Sequence, residues 1–230
     1  YGTGSTVISA SFFAAPDFRE RTGSGYPSIE LIHNGRHMSD RDDLLAVSAA
    51  DPAALVAWHF LDMADDPGNQ DLLDLSVLYP GGVIASDAMP WVEPDGTIYQ
   101  GAEWPLPGRL SSHPRSAATF TRFIGEYQRS RGKIGLMDAI AKCTTLPCKV
   151  IEPCLPAMRR KARLQEGCDG DVIVFDPATI TGRASFFDMT ATAVGVEAVL
   201  VGGTPVIRDG ALDTMARPGR ALRCGANGGG

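Results

Sequence analysis

From residue 28 to residue 87 the chain alternates between helix-like and strand-like segments, and this alternation constrains the fold more than any other feature. Residues 29–32 form a short apolar run that reads as a strand or buried segment. Ser39 reads as an N-cap, with Asp42 three residues on as a weak capping box. A helix is therefore predicted from Asp40 to about Ala50, stopping before Asp51-Pro52. Residues 55–60 read as a second strand. Residues 71–79 read as a helix with Leu72, Leu75 and Val77 among its apolar positions. Residues 82–86 read as a third strand, which ends at Asp87. Alternation of this kind predicts parallel strands joined by crossover helices. A closed eight-stranded barrel needs about 250 residues for itself, so the α/β segment reads as the last part of a barrel or as a small open sheet.

The flanks add two textures. Residues 1–15 open on a Gly/Ser/Thr turn and read as a loop leading into a short helix. Residues 88–112 are rich in Pro and Gly, and a loop of that length in a compact domain is usually functional. Two helices are predicted after it, over 118–131 and 135–146, the second ending at Pro147. Beyond residue 150 the pattern turns to β. The run 172–175 stops at Asp176-Pro177. The runs 198–201 and 205–208 are joined through Gly202-Gly203 as a hairpin, and Asp209-Gly210 closes it. The predicted division is 1–147 for the α/β part and 148–230 for a small β-rich module.

Charge and cysteine usage narrow the function. The net charge is −6 with a pI near 5.2, and there is no basic run, so nucleic acid is not an expected partner. The longest apolar stretches are too short to span a membrane. Cys143, Cys148, Cys154, Cys168 and Cys224 are odd in number, with no C-x-x-C spacing. That indicates neither a disulfide framework nor a zinc knuckle, and it points to a reducing, cytoplasmic setting.

Asp87 is the leading candidate for chemistry. In a parallel barrel the loops after the strands build the pocket, so a carboxylate at a strand tip faces it. A second polar cluster, Ser112-His113-Pro114-Arg115, follows on a loop. Together they suggest part of a hydrolase site. The competing reading of Asp87 is a helix N-cap or a buried, hydrogen-bonded acid.

Tyr1-Gly-Thr-Gly-Ser-Thr6, Ala85-Ser-Asp-Ala-Met-Pro-Trp91, Ser112-His-Pro-Arg115, Gly125-Glu-Tyr127, Ala139-Ile-Ala-Lys-Cys-Thr-Thr-Leu-Pro147, Gly170-Asp-Val-Ile-Val-Phe-Asp-Pro177, Val201-Gly-Gly-Thr-Pro-Val-Ile-Arg-Asp-Gly210 and Ala216-Arg-Pro-Gly-Arg220 occur in this order. Together they resemble the C-terminal half of the D-aminoacylases, the N-acyl-D-amino-acid deacylases of the amidohydrolase superfamily. The resemblance implies the C-terminal part of a metal-dependent (β/α)8 barrel plus a small β-sandwich. It implies hydrolysis of the linear amide of a small-molecule N-acyl-D-amino acid by zinc-activated water. Asp87 then takes the place of the general acid/base. Arg115 takes that of an arginine gripping the substrate α-carboxylate, a task that suits its planar fork, and Ser5 that of a serine assisting it. The matching tyrosine is expected two residues upstream of Tyr1.

The resemblance also implies what is missing. No His-x-His pair occurs here, and all five cysteines lie after Asp87. The zinc ligands are expected upstream of residue 1, with Asp87 the one possible metal contact in the chain. The fragment alone is expected to be inactive and to require the N-terminal half of the barrel. His113, His59 and Trp91 are possible pocket-lining residues. The competing readings are a loop-orienting role for His113, a satisfied core or rim histidine for His59, and loop packing for Trp91 and Trp104. His33 and His37 flank Asn34-Gly35-Arg36 on a loop. Two other functions stay open: a cyclic amide or imide hydrolase of the dihydroorotase kind, and a non-catalytic truncated relative.

Overall fold

Residues 2–61 and 66–223 are described by the structure, a computed structural model. Tyr1 and Cys224 fall outside them. By its contacts the chain divides into two units, each built from several segments. The first comprises residues 1–76, 87–117 and 184–191; the second comprises 77–86, 118–183 and 192–230. A single cut at residue 147 separates neither.

The first unit is built on an antiparallel sheet. Strands β1 (Gly4–Val7), β2 (Ile29–Leu31), β3 (Arg36–His37) and β4 (Leu55–Trp58) lie in the order β1-β4-β2-β3. Both β1 and β2 run antiparallel to β4, with Ser5 opposite Ala57 and Glu30 opposite Ala57 on the other side. The expected parallel pairing is thus corrected. The reason is a tight turn at residues 32–35. Gly35, at φ 70°, and Asn34 both donate backbone N–H bonds to Leu31 O. This turn reverses the chain into β3 before helix α3 (Arg41–Ala50) begins, so β4 returns against β2 instead of along it.

Helix α3 is capped one residue later than predicted. Asp40 is the N-cap, and its carboxylate accepts from Asp43 N–H at 2.9 Å. Asp43 reaches back to accept from Ser39 N–H at 2.9 Å, which nearly closes a capping box. The helix stops before Asp51, as Pro52 requires. Two short helices, α1 (Ser11–Ala14) and α2 (Phe18–Thr22), precede β2. They supply Phe13 and Phe18 to a core with Ile8, Ile29, Leu31, Met38, Leu44 and Val56. Ile29 and Leu31 point into this core and Glu30 away from it, the period-two alternation of a half-buried strand. On the opposite face Ile32, Ala57 and Val92 pack with Met89 and Phe186.

Helix α4 (Gly68–Val77) departs from its predicted face. Leu72 and Leu75 are 57% and 68% exposed, while Asp74 is buried and accepts from Gln70 Nε2. The run 82–86 is extended but forms no strand; among the described residues no other strand lies beside it. Its one ladder-like bond is Ile84 N–H to Lys142 O at 3.0 Å. An apolar run becomes a strand only where a neighbour supplies the ladder.

The helix predicted at 118–131 begins earlier, as α5 (Arg115–Arg122), whose first three residues belong to the first unit, and continues in the second unit in wider π turns through Phe123–Ser130. Gly125 lets this stretch approach the chain, since a Cβ there would stand 2.7 Å from Ile180 O. Helix α6 (Leu136–Cys143) ends at Thr144. Pro147 lies in the first turn of the next helix, α7 (Thr145–Ile151), where its missing N–H costs nothing. Phe123, Tyr127 and Ala139 form the core here. Buried Lys142 donates to Tyr79 O and Gly82 O at 2.7 and 2.8 Å. Among the described residues the β module is one antiparallel sheet of β5 (Val172–Phe175), β6 (Val196–Val201), β7 (Thr204–Arg208) and β8 (Ala211–Leu212), with no second sheet packed on it. The predicted hairpin is present. Gly202 and Gly203 take φ 56° and 80°, the left-handed pair that a two-residue turn needs.

Candidate functional site

Asp87 sits at φ 45°, a region that costs a non-glycine residue about 1–2 kcal/mol. Arg115 holds it there. The buried guanidinium donates from Nη2 to Asp87 Oδ2 and from Nε to Asp87 O, both at 2.7 Å. One side chain thus grips both the backbone and the carboxylate of a single residue. The bond to Asp87 O and the solvent-screened ion pair both act against that strain, the exposed pair by about 0–1 kcal/mol. The Asp87 side chain remains 83% exposed against 9% for Arg115. A buried cation therefore presents a carboxylate to solvent.

The flanking segments fix this pair. Met89 N–H donates to Ser116 Oγ at 2.9 Å. Ser112 and Ser116 hydroxyls lie 3.2 and 3.1 Å from Met89 O and 3.0 Å from each other. Val92 and Ser111 exchange backbone bonds at 2.9 and 3.0 Å, pinning the long loop back on itself. His113 is fully buried. Its Nδ1 accepts from Arg115 N–H at 3.1 Å. In the neutral ring the proton is then on Nε2, which donates to Thr3 Oγ1 at 2.6 Å. His113 thus ties the turn that carries Arg115 to Thr3, with its ring fully buried.

The other predicted residues lie nearby in the fold with different partners. Ser5 is on β1, and its Oγ is buried with no hydrogen-bond partner among the described residues; a buried hydroxyl left unmatched is unusual. His59 follows β4, bonds Glu30 Oε2 through Nε2 at 2.7 Å, and lines a cavity with His37 and Phe186. The Phe186 ring stands 5.0 Å from His59 and 5.1 Å from His113. Trp91 is half-buried, its carbonyl accepting from Tyr99 N–H, and Trp104 is 48% exposed. Glu30, Ser116, Thr3 and Phe186 escaped the sequence reading. Thr3 lies in the Tyr1–Thr6 motif but with no signal of its partner, the other three carry no local motif, and only the fold assembles them.

Zinc finds no ligand set here. Among the described residues no group of three His, Cys, Asp or Glu could hold a metal ion, and the Asp87 carboxylate is paired with Arg115. The four described cysteines are free, and burial pushes the Cys143 thiol up to about 11, away from ligand or nucleophile chemistry. Among the described residues no helix is long and apolar enough to cross a membrane.

No protein-family model matches the chain. It is 37% identical over 118 residues to an N-acyl-D-glutamate deacylase of Alcaligenes xylosoxydans xylosoxydans, covering 51% of this chain and 23% of the relative. A D-aminoacylase of the same organism is 32% identical over 153 residues, 59% of this chain and 30% of the relative. Among solved structures, the N-acyl-D-glutamate deacylase of Bordetella bronchiseptica, complexed with zinc and a phosphonate inhibitor, superposes with a TM-score of 0.66 at 25% identity. That match covers 97% of this chain and 41% of the other. A D-aminoacylase structure described as defining a novel subset of amidohydrolases matches with a TM-score of 0.62 at 24% identity, over 92% of this chain and 39% of that one. The chain spans well under half the length of these proteins.

Proposed function

We propose, for a chain that resembles the D-aminoacylases of the amidohydrolase superfamily, that it supplies the proton-transfer carboxylate of an enzyme hydrolysing the linear amide of N-acyl-D-amino acids. The observation that carries this reading is the Arg115–Asp87 pair, a buried guanidinium holding an exposed carboxylate in a left-handed conformation. A carboxylate so fixed can take a proton from attacking water and return it to the leaving nitrogen, provided both come within hydrogen-bond reach. The names of the sequence relatives support the substrate class. Zinc is supplied, in this reading, by ligands outside the described residues. When bound it would activate the water; this chain's own part is Asp87.

The geometry alters the role proposed for Arg115. Two of its five N–H donors are committed to Asp87, so it acts first as a positioning residue. Ser5 Oγ, buried and unmatched, is proposed as a contact for the substrate's α-carboxylate. The barrel is likewise a proposal: in the whole protein the extended run 82–86 and the exposed Leu72 and Leu75 of α4 would meet the remainder of an (β/α)8 barrel, and β5–β8 would form one layer of a sandwich. The setting proposed is cytoplasmic, which the free cysteines fit.

The test is a substrate panel on the whole enzyme: N-acyl-D-amino acids, their L-enantiomers, and cyclic imides. Turnover confined to linear N-acyl-D-amino acids is expected. Turnover of cyclic imides alone, or no hydrolysis by a zinc-loaded protein, would overturn the proposal.

A further inference from the structure

We infer that the second unit carries a site for a small organic anion, whose phosphate or carboxylate group is held by Arg160 and Arg220. The site is independent of the deacylase reading. Three segments of that unit meet there: the short 3-10 helix Pro156–Arg160 with the turn after it, the Gly202-Gly203 hairpin, and the Arg-Pro-Gly-Arg stretch that ends at Arg220. Between them Arg160, Lys161, Asp169, Asp171, Thr204 and Arg220 line a cavity of about 420 Å³.

The turn that carries Arg160 and Lys161 is held against strain. Ala162 sits at φ 54°, a region that residues with a Cβ rarely adopt. Arg163 fixes it there. Its Nη1 donates to Met158 O and Lys161 O at 3.2 and 2.8 Å, and its Nη2 donates to Glu152. Asp169 N–H donates to Arg160 O at 2.9 Å and closes the loop. One anchored arginine thus sustains a strained turn whose result is two adjacent cations on a cavity wall. Backbone strain kept in place by its surroundings clusters at ligand sites.

The charges of the cavity favour an anion. Its carboxylates are already matched. Asp169 faces Arg160 Nη2 at 2.6 Å and Lys161 Nζ at 3.0 Å. Asp171 faces Lys161 Nζ at 2.6 Å and accepts from Gly202 N–H at 2.7 Å. Bonds to Lys161 hold both carboxyls below their ordinary value, so both are ionised at neutral pH. Two negative charges therefore face three positive ones. The surplus belongs to Arg220, which has no hydrogen bond or ion pair among the described residues. Arg160 commits one of its five N–H donors to Asp169. The donors left over are guanidinium N–H groups, whose planar fork matches a carboxylate or a phosphate. An anion gains both the surplus charge and these donors; a cation gains neither. Pockets for small organic ligands span about 300–1,000 Å³, so the cavity has room for more than the anionic group itself.

The full chain, labelled with ¹⁵N, would be titrated with glycerol 3-phosphate, with succinate, and with glycerol as the neutral control. Each would be taken to about 10 mM, roughly tenfold beyond a millimolar Kd. At least one anion should give saturable amide shifts centred on Arg160, Gly202, Thr204 and Arg220, and glycerol none. Saturation by one anion alone identifies the group recognised, and saturation by both identifies a shared oxyanion site. Arg220→Gln should weaken binding at least about tenfold, the effect of losing a charge-assisted bond. Arg159→Gln removes a neighbouring charge that does not line the cavity and should leave binding unchanged. Both arginines are exposed, so neither variant disturbs the core. No saturation by either anion, wild-type binding by Arg220→Gln, or an equal loss in Arg159→Gln, which would mark diffuse charge attraction, would overturn the site.

Discussion

The Arg115–Asp87 pair concentrates the account in two residues. If Arg115 positions Asp87 through two bonds of different direction, a cation alone will not replace it. Arg115→Lys keeps the charge but cannot span Asp87 O and Oδ2 at once. The expected result is a fall in kcat of at least about tenfold, the size expected for a misplaced catalytic group, measured by steady-state kinetics on the whole enzyme. A change confined to KM would instead mark Arg115 as a substrate clamp. Asp87 and Arg115 stood out in the sequence because one ends an apolar run and the other closes a Ser-His-Pro-Arg cluster. Their mutual contact was not legible, because 28 residues separate them. Nor was the burial of His113, whose two nitrogens are satisfied by Thr3, 110 residues away, and by the backbone of its own turn.

At the scale of elements, local signals were read well and pairings were not. The Gly202-Gly203 hairpin was legible because its turn demands φ > 0 at both positions. The antiparallel course of β1, β2 and β4 was hidden by the turn at residues 32–35. The run 82–86 misled because apolar content cannot disclose a missing neighbour. The hairpin also makes a pH prediction. Asp171 Oδ1 accepts from Gly202 N–H at 2.7 Å, and Lys161 Nζ lies 2.6 Å from Asp171 Oδ2. Bonds to Lys161 and then to Gly202 N–H hold the Asp171 carboxyl below its ordinary value of 3.8. Bonds to Asp171 and Asp169 raise Lys161 above 10.5. A lowered acid contributes stability above its ordinary value and loses it as pH falls through the folded value. A raised base contributes below its ordinary value and loses it as pH climbs through the folded one. The contribution is therefore flat between about pH 4 and 10.5. Asp171→Asn should lower the melting temperature at pH 7 and leave it nearer to wild type at pH 2. Equal loss at both pH values would show that the Asp171 charge is not what matters.

Across the whole molecule the exposed apolar side chains are the informative feature. Leu72 and Leu75 on α4, Met137 on α6 and Val150 on α7 are each more than half exposed, and in the proposed whole barrel these are side chains the remainder would cover. The 230-residue chain alone should enhance the fluorescence of a dye such as ANS, and the same chain within a whole barrel should not. Equal, low fluorescence in both would mean that these faces are ordinary surface. The sequence made the family resemblance legible through motifs spread along the chain, but it could not show which helix faces stay uncovered, because that depends on what packs against them.

The most direct measurement is the turnover of Asp87→Asn in the whole enzyme on an N-acyl-D-amino acid, with zinc content determined on the same sample. The asparagine keeps the shape and a carbonyl for Arg115 but cannot carry a proton. A proton-transfer role for Asp87 predicts unchanged zinc and a kcat lower by about 10²–10⁴-fold, the range for loss of a general acid/base. Turnover within a few-fold of wild type would contradict it and return Asp87 to a structural role.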